Sequence, residues 1–129
     1  VPVIGYNTDK LPAFYTRTSE FDVIYNAKNP AEIAQIVKSK RDFGLNGGVL
    51  VCNPVPEEYS MDAAYINQII DQAIKEMNEK GIVGKDETPF LLSRIVELTS
   101  GESLETNINL IVNNAKLGAK IAQEFVKLK

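Results

Sequence analysis

The sequence predicts an α/β fold, a layered α/β/α arrangement on a largely parallel or mixed sheet. Two observations predict it. Short apolar runs at residues 1–6 and 48–52 alternate with longer stretches whose apolar residues recur at helical spacing. The second run, Gly-Val-Leu-Val-Cys, lacks polar alternation, as strands buried on both faces of a parallel sheet do. The chain's 129 residues, 44% hydrophobic and 24% charged, suffice for one domain with a sizeable core. Residues 1–129 are therefore read as a single α/β domain or as part of a larger one.

Composition removes several function classes. The net charge is −3 and no basic block is present, which argues against nucleic-acid binding by bulk charge. There is no apolar run long enough for a membrane span and no signal peptide. One cysteine, Cys52, excludes an internal disulfide and suits a reducing, cytoplasmic setting. Histidine is absent, so Ser-His-Asp, Cys-His and His-based metal chemistry are excluded within this chain. The first residue is Val1, and VPVIGY reads as a strand of an interior sheet; the expectation is a part of a longer protein.

Taken in order, residues 1–6 read as a short buried strand, with Pro2 at its start or on an edge. Residues 7–10 form a polar turn, and residues 13–16 a second extended piece. Tyr6, Phe14 and Tyr15 either pack in the core and at its rim or wall a planar ligand. Residues 21–25 are a candidate edge strand. Asn29-Pro30-Ala31-Glu32 opens a helix: Asn29 caps, Pro30 takes the first position, and Glu32 completes a capping-box spacing. Ile33, Ile36 and Val37 form its buried stripe, with Phe43 near the end at Gly44. Gly47 and Gly48 precede the next strand rather than follow one, so a dinucleotide fingerprint fails. Asn53-Pro54-Val55-Pro56 then occupies the carboxyl end of that strand, where open α/β sheets bind ligands, and Asn53 could read a polar group. Glu57 and Glu58 are neighbours in sequence, which does not make a catalytic pair.

Ser60 is the expected cap of an amphipathic helix over residues 61–80. Residues 82–87 form a loop, in which Lys85 stands before the next helix start and could help hold an anion. Thr88 is the expected cap of that helix, with Pro89 at its first position, and Gly101 ends it. Ser103 then caps a last helix running toward the end of the chain. That helix carries Asn107, Asn109, Asn113 and Asn114. Asn107 and Asn114 lie two turns apart on nearly the same apolar face, where amides need hydrogen-bond partners and a ligand is one candidate. Leu104, Ile108, Ile111 and Phe125 are the expected core residues of this helix.

Four stretches resemble the pseudouridine-5′-phosphate glycosidase family, also called indigoidine-synthase-A-like. They are GYNTDKLPAFYTRTS, GLNGGVLVCNPVPEEY, GKDETPFLLSRIVELTSGESLETNI and VNNAKLGAKIA, in order along essentially the whole chain. The resemblance implies reversible cleavage of the C–C glycosidic bond of pseudouridine 5′-phosphate to uracil and ribose 5-phosphate. A carbon leaving group has no lone pair to protonate, so two-carboxylate glycosidase logic does not serve. In such proteins a lysine attacks the ribose C1′, the ring opens to an imine, a glutamate handles protons, and a divalent metal, typically manganese, sits near an aspartate. The resemblance further implies a homotrimer of α/β/α subunits. It matches only the C-terminal portion of such a subunit. The lysine, glutamate and aspartate lie upstream, so no metal ligand is assigned here and this chain alone is expected to be inactive without its upstream half. One residue carries over: Asn107 of TNINL matches an active-site asparagine expected to hydrogen-bond substrate. Asn53, Thr88 and Asn114 are further candidate substrate-binding residues on position alone. The alternatives are a non-catalytic fragment and a sugar-phosphate-binding module built on Lys85 and the helix at Thr88.

Overall fold

The computed structural model describes residues 1–128. Its strands are β1 (Val3–Tyr6), β2 (Tyr25–Ala27) and β3 (Leu50–Cys52), and its α-helices are α1 (Pro30–Asp42), α2 (Ala63–Glu79), α3 (Glu87–Leu98) and α4 (Glu102–Lys127). The strands pair in the order β2-β1-β3 and are all parallel. The α/β expectation thus holds, with a parallel sense for the sheet. Ile4 is in register with Tyr25 and Val51. Alternation along each strand puts Ile4, Tyr6, Ala27 and Val51 on one face. Ile33 and Ile36 of α1 and Ile121 of α4 pack there. On the opposite face, Gly5 lies directly under Thr8 and Val23, where a β-carbon would clash with the Thr8 carbonyl.

A second core joins α2 to α3. Tyr15, Met61, Ile66, Ala73 and Ile95 are buried together, flanked by Ile69, Ile70, Leu91 and Leu98. At its edge Arg94 of α3 donates to Glu76 of α2 at 2.6 Å and to Glu97 at 2.7 Å. This pairing holds the Glu76 carboxyl below its ordinary range.

The start of α1 is as expected. The Glu32 amide donates to Asn29 Oδ1 at 2.9 Å, and Glu32 Oε2 accepts from the Lys28 amide at 2.6 Å. The other helix starts shift by a few residues. Asp62, not Ser60, caps α2, accepting from the Tyr65 amide at 2.8 Å. Helix α3 begins at Glu87, so Thr88 and Pro89 sit inside its first turn, and Glu87 reaches back to the Gly84 amide. Helix α4 begins after Gly101, whose φ of 91° needs glycine, and Ser103 is a buried residue one step inside. The Ser103 amide instead donates to the Thr99 hydroxyl at 3.2 Å.

Four further expectations are corrected. Residues 13–16 form a tight turn closed by the Thr16 amide on the Ala13 carbonyl, not a strand. The edge strand starts only at Tyr25, leaving Phe21 and Ile24 exposed, and Phe43 points to solvent past the end of α1. On α4 the inward stripe runs 103, 106, 110, 113, 117, 121, the i, i+3/i+4 rhythm of one face. Leu104, Ile108 and Ile111 fall beside it and are 46%, 52% and 60% exposed, while Phe125 is half-buried against the Arg41 guanidinium.

Candidate functional site

The loop leaving β3 is stitched to α4. The Asn113 side-chain amide donates to the Pro54 carbonyl at 3.2 Å, and Thr106 Oγ1 donates to the Tyr59 carbonyl at 2.9 Å. From the other side Arg17 Nη1 donates to the Val55 carbonyl at 2.6 Å. Asn53 Nδ2 donates to Asn114 Oδ1 at 3.0 Å, so two of the candidate residues meet at the carboxyl end of β3. This is the position where a strand end in a parallel sheet opens to ligands.

Besides a recess of about 280 Å³ lined by Val49, Val51, Leu117 and both asparagines, two larger ones flank this seam. The first, about 300 Å³, lies between the 11–14 turn, β3 and α4, and the Asn53–Asn114 pair borders it. Its other walls are apolar, with Pro12, Phe14, Leu50 and Leu110. Cys52 also lines it; burial pushes this thiol up, so it stays protonated near neutrality and is a poor nucleophile. The second recess, about 360 Å³, lies between α3 and α4 and holds Asn107 with Tyr15, Ser93, Glu97 and Ser103. Asn107 Oδ1 is buried there without a hydrogen-bond partner. Burial also raises the Tyr15 phenol, which remains neutral. Phe14 and Tyr15, packed edge-to-face at 4.8 Å, line one recess each.

Among the described residues no group of three or more His, Cys, Asp or Glu side chains converges as a metal site. The chain's own donor set therefore does not fit the divalent metal that the resemblance implies. None of the described lysines lines either recess.

The family model described as "Indigoidine synthase A like protein" matches residues 1–124. The chain belongs to this family. Its similarity to a pseudouridine-5′-phosphate glycosidase of Glaesserella parasuis is 55% identity over 127 residues, covering 98% of this chain and 42% of that protein. A protein of the same name from Petrotoga mobilis is 55% identical over 125 residues, covering 97% of this chain and 41% of its own length. The chain thus spans about two-fifths of the length of the curated relatives it matches. Among solved structures, an indigoidine synthase A-like protein of Thermotoga maritima aligns with a TM-score of 0.83 at 34% identity, over 95% of this chain and 40% of that one. The prealnumycin C-glycosynthase AlnA, solved in complex with ribulose 5-phosphate, aligns with a TM-score of 0.86 at 26% identity, over 97% and 41%.

Of the residues singled out in the sequence, the structure brings Asn53 and Asn114 together and places Asn107 two turns away in the neighbouring recess. Thr88 joins neither: it is exposed in the first turn of α3 and lines neither recess. Lys85 is exposed beside Asp86 and Glu87, whose charges oppose an anion at that helix start. Glu57 and Glu58 are exposed in a short 3₁₀ turn. Ser93 and Glu97 escaped the sequence reading, since on a surface helix both look like ordinary solvent-facing residues. Only the fold reveals that they face Asn107. Among the described residues no helix is long and apolar enough to cross a membrane.

Proposed function

We propose that this chain supplies the Asn107-bearing part of a pseudouridine-5′-phosphate glycosidase. Together with an upstream half, it would cleave reversibly the C–C bond between uracil and ribose 5-phosphate. The observation that carries the reading is the buried, unpartnered Oδ1 of Asn107. A buried amide oxygen without a donor is costly, and a substrate hydroxyl or N–H would relieve it. The names of the relatives, which align over nearly the whole chain, support the reaction. AlnA's ribulose 5-phosphate complex supports a sugar phosphate as the class of ligand.

The division of labour follows from what lines the recesses. Asn107 orients the sugar, with Tyr15 and the hydroxyls of Ser93 and Ser103 around it. The imine-forming lysine, the proton-handling glutamate and the manganese site would come from the upstream half, since none of the described lysines lines either recess and no three described acids, histidines or cysteines group as a metal site. A cytoplasmic homotrimer is the assembly that goes with this reading.

The test uses the full-length enzyme containing this chain, with release of uracil from pseudouridine 5′-phosphate followed chromatographically. Wild type should turn over. Asn107→Ala should lower kcat/KM about tenfold or more while stability changes by about 1 kcal/mol or less. Absence of turnover in the wild type overturns the reaction. Unchanged kcat/KM with a loss of several kcal/mol in stability would make Asn107 a packing residue.

A further inference from the structure

We propose that Tyr15 contacts the ligand directly in the recess between α3 and α4, its phenol donating a hydrogen bond to a hydroxyl oxygen of the sugar. The inference rests on the function proposed above. It adds to a site built on two helices a specificity-determining residue from the tight turn at residues 13–16.

Three features carry it. The first is an unused donor. Tyr15 is 6% exposed, and a tyrosine this buried ordinarily finds a partner for its hydroxyl. Among the described residues the Tyr15 hydroxyl has none. Asn107 Oδ1 is the one sealed side-chain polar atom without a partner among those residues, so the Tyr15 oxygen keeps an opening onto the recess that it lines. The second is fixity. The ring sits in the core cluster with Met61, Ile66 and Ile95, and Phe14 meets it edge-to-face at 4.8 Å. The Tyr15 carbonyl accepts from the Met61 amide at 3.0 Å. Ring and backbone are both held, so the hydroxyl is in place before a ligand arrives and little ordering entropy is lost on binding. Packing accounts for the ring, and no contact among the described residues accounts for the hydroxyl. The third is the chemistry of the neighbours. Glu97 is the one charged side chain lining this recess, which opposes a phosphate there. Asn107, Ser93 and Ser103 supply neutral polar groups instead. Burial keeps the phenol neutral, and therefore a donor. A sugar hydroxyl is donor and acceptor at once: it can donate to an amide oxygen such as that of Asn107 and accept from Tyr15 through a lone pair.

The experiment is calorimetric titration of the full-length enzyme with ribose 5-phosphate, wild type against Tyr15→Phe, with thermal melting of both at neutral pH. The variant keeps the ring and removes only the hydroxyl. Ribose 5-phosphate should bind wild type, and Tyr15→Phe should bind it about threefold to tenfold more weakly. Its melting temperature without ligand should be unchanged or higher, because no bond within the chain is lost. Unchanged affinity in the variant, no binding to wild type, or weakened binding accompanied by a lower melting temperature overturns the assignment. Failure of the wild type to cleave pseudouridine 5′-phosphate, with ribose 5-phosphate binding still sensitive at Tyr15, would sink the reaction and leave the sugar contact standing. Normal cleavage with unchanged ribose 5-phosphate affinity in Tyr15→Phe would do the reverse.

Discussion

Asn107 and Asn114 are the same residue type on the same face of α4, yet the fold treats them oppositely. Asn114 accepts a hydrogen bond from Asn53 and helps close the seam between α4 and the loop after β3. Asn107 is more enclosed and has a buried oxygen with no partner at all. Folding therefore accounts for part of the Asn114 chemistry and for none of the Asn107 oxygen. In a helix that could have placed an apolar residue there, an orphan amide points to a ligand, whereas a paired amide needs its leftover groups counted before it points to one. The two recesses differ as well: one borders a parallel strand and has no charged side chain in its lining, the other lies between helices and has Glu97 in its lining.

The largest way to disturb this comparison is to loosen one recess and spare the other. Ile66 is 1% exposed and packs with Tyr15, which walls the Asn107 recess. Ile66→Ala should cost about 2–5 kcal/mol in urea unfolding. It should also weaken ribose 5-phosphate binding, because Tyr15 walls the Asn107 recess. Unchanged ribose 5-phosphate affinity would show that the Asn107 recess does not depend on this core. A smaller, sharper test compares signs. Asn107→Leu removes an unpaired acceptor, so stability should hold or rise, by up to about 1–3 kcal/mol. Asn113→Leu strips the Pro54 carbonyl of its donor and should lower stability by about 1 kcal/mol. If Asn107→Leu proves the more destabilising of the two in the same denaturation series, Asn107 has a partner in solution and the contrast fails.

How much of this was legible in the sequence depends on whether the deciding forces were local. The start of α1 could be read because Asn29, Pro30 and Glu32 satisfy one another within four residues. The starts of α2, α3 and α4 were expected at Ser60, Thr88 and Ser103, whereas the helices begin after Asp62, Asp86 and Gly101. The choice was made by tertiary packing, as when Ser103 turned inward onto Thr99. On α4, apolar residues lie nearly all round the helix, so periodicity could not tell the 103–106–110 stripe from its neighbour carrying Leu104, Ile108 and Ile111. The amides were legible as a pattern because asparagine is an odd choice on an apolar helical face. Their separation into a paired and an unpaired member was not, since it depends on where the loop after β3 comes to rest 60 residues away in the chain.

The mildest perturbation is alkaline pH, read as the difference that replacing Tyr15 makes. Burial raises the Tyr15 phenol above its ordinary value of 10.0. Below that pH both folded and unfolded chains keep the proton, and stability is indifferent to it. As pH rises further, the unfolded chain releases its proton first, so stability falls until the folded pKa is passed. Tyr25 also titrates high, through its hydroxyl bond to Glu32 at 2.6 Å, so the wild-type curve alone does not isolate Tyr15. The difference between wild type and Tyr15→Phe does. Melting temperatures from about pH 9 to 11 should fall less steeply in Tyr15→Phe, while Tyr25→Phe should retain the Tyr15 component. Tyr15→Phe tracking wild type throughout that window would mean that water reaches the phenol. The Asn107 recess would then be wetter than its buried oxygen implies, and the orphan acceptor would have a solvent partner instead of waiting for a substrate.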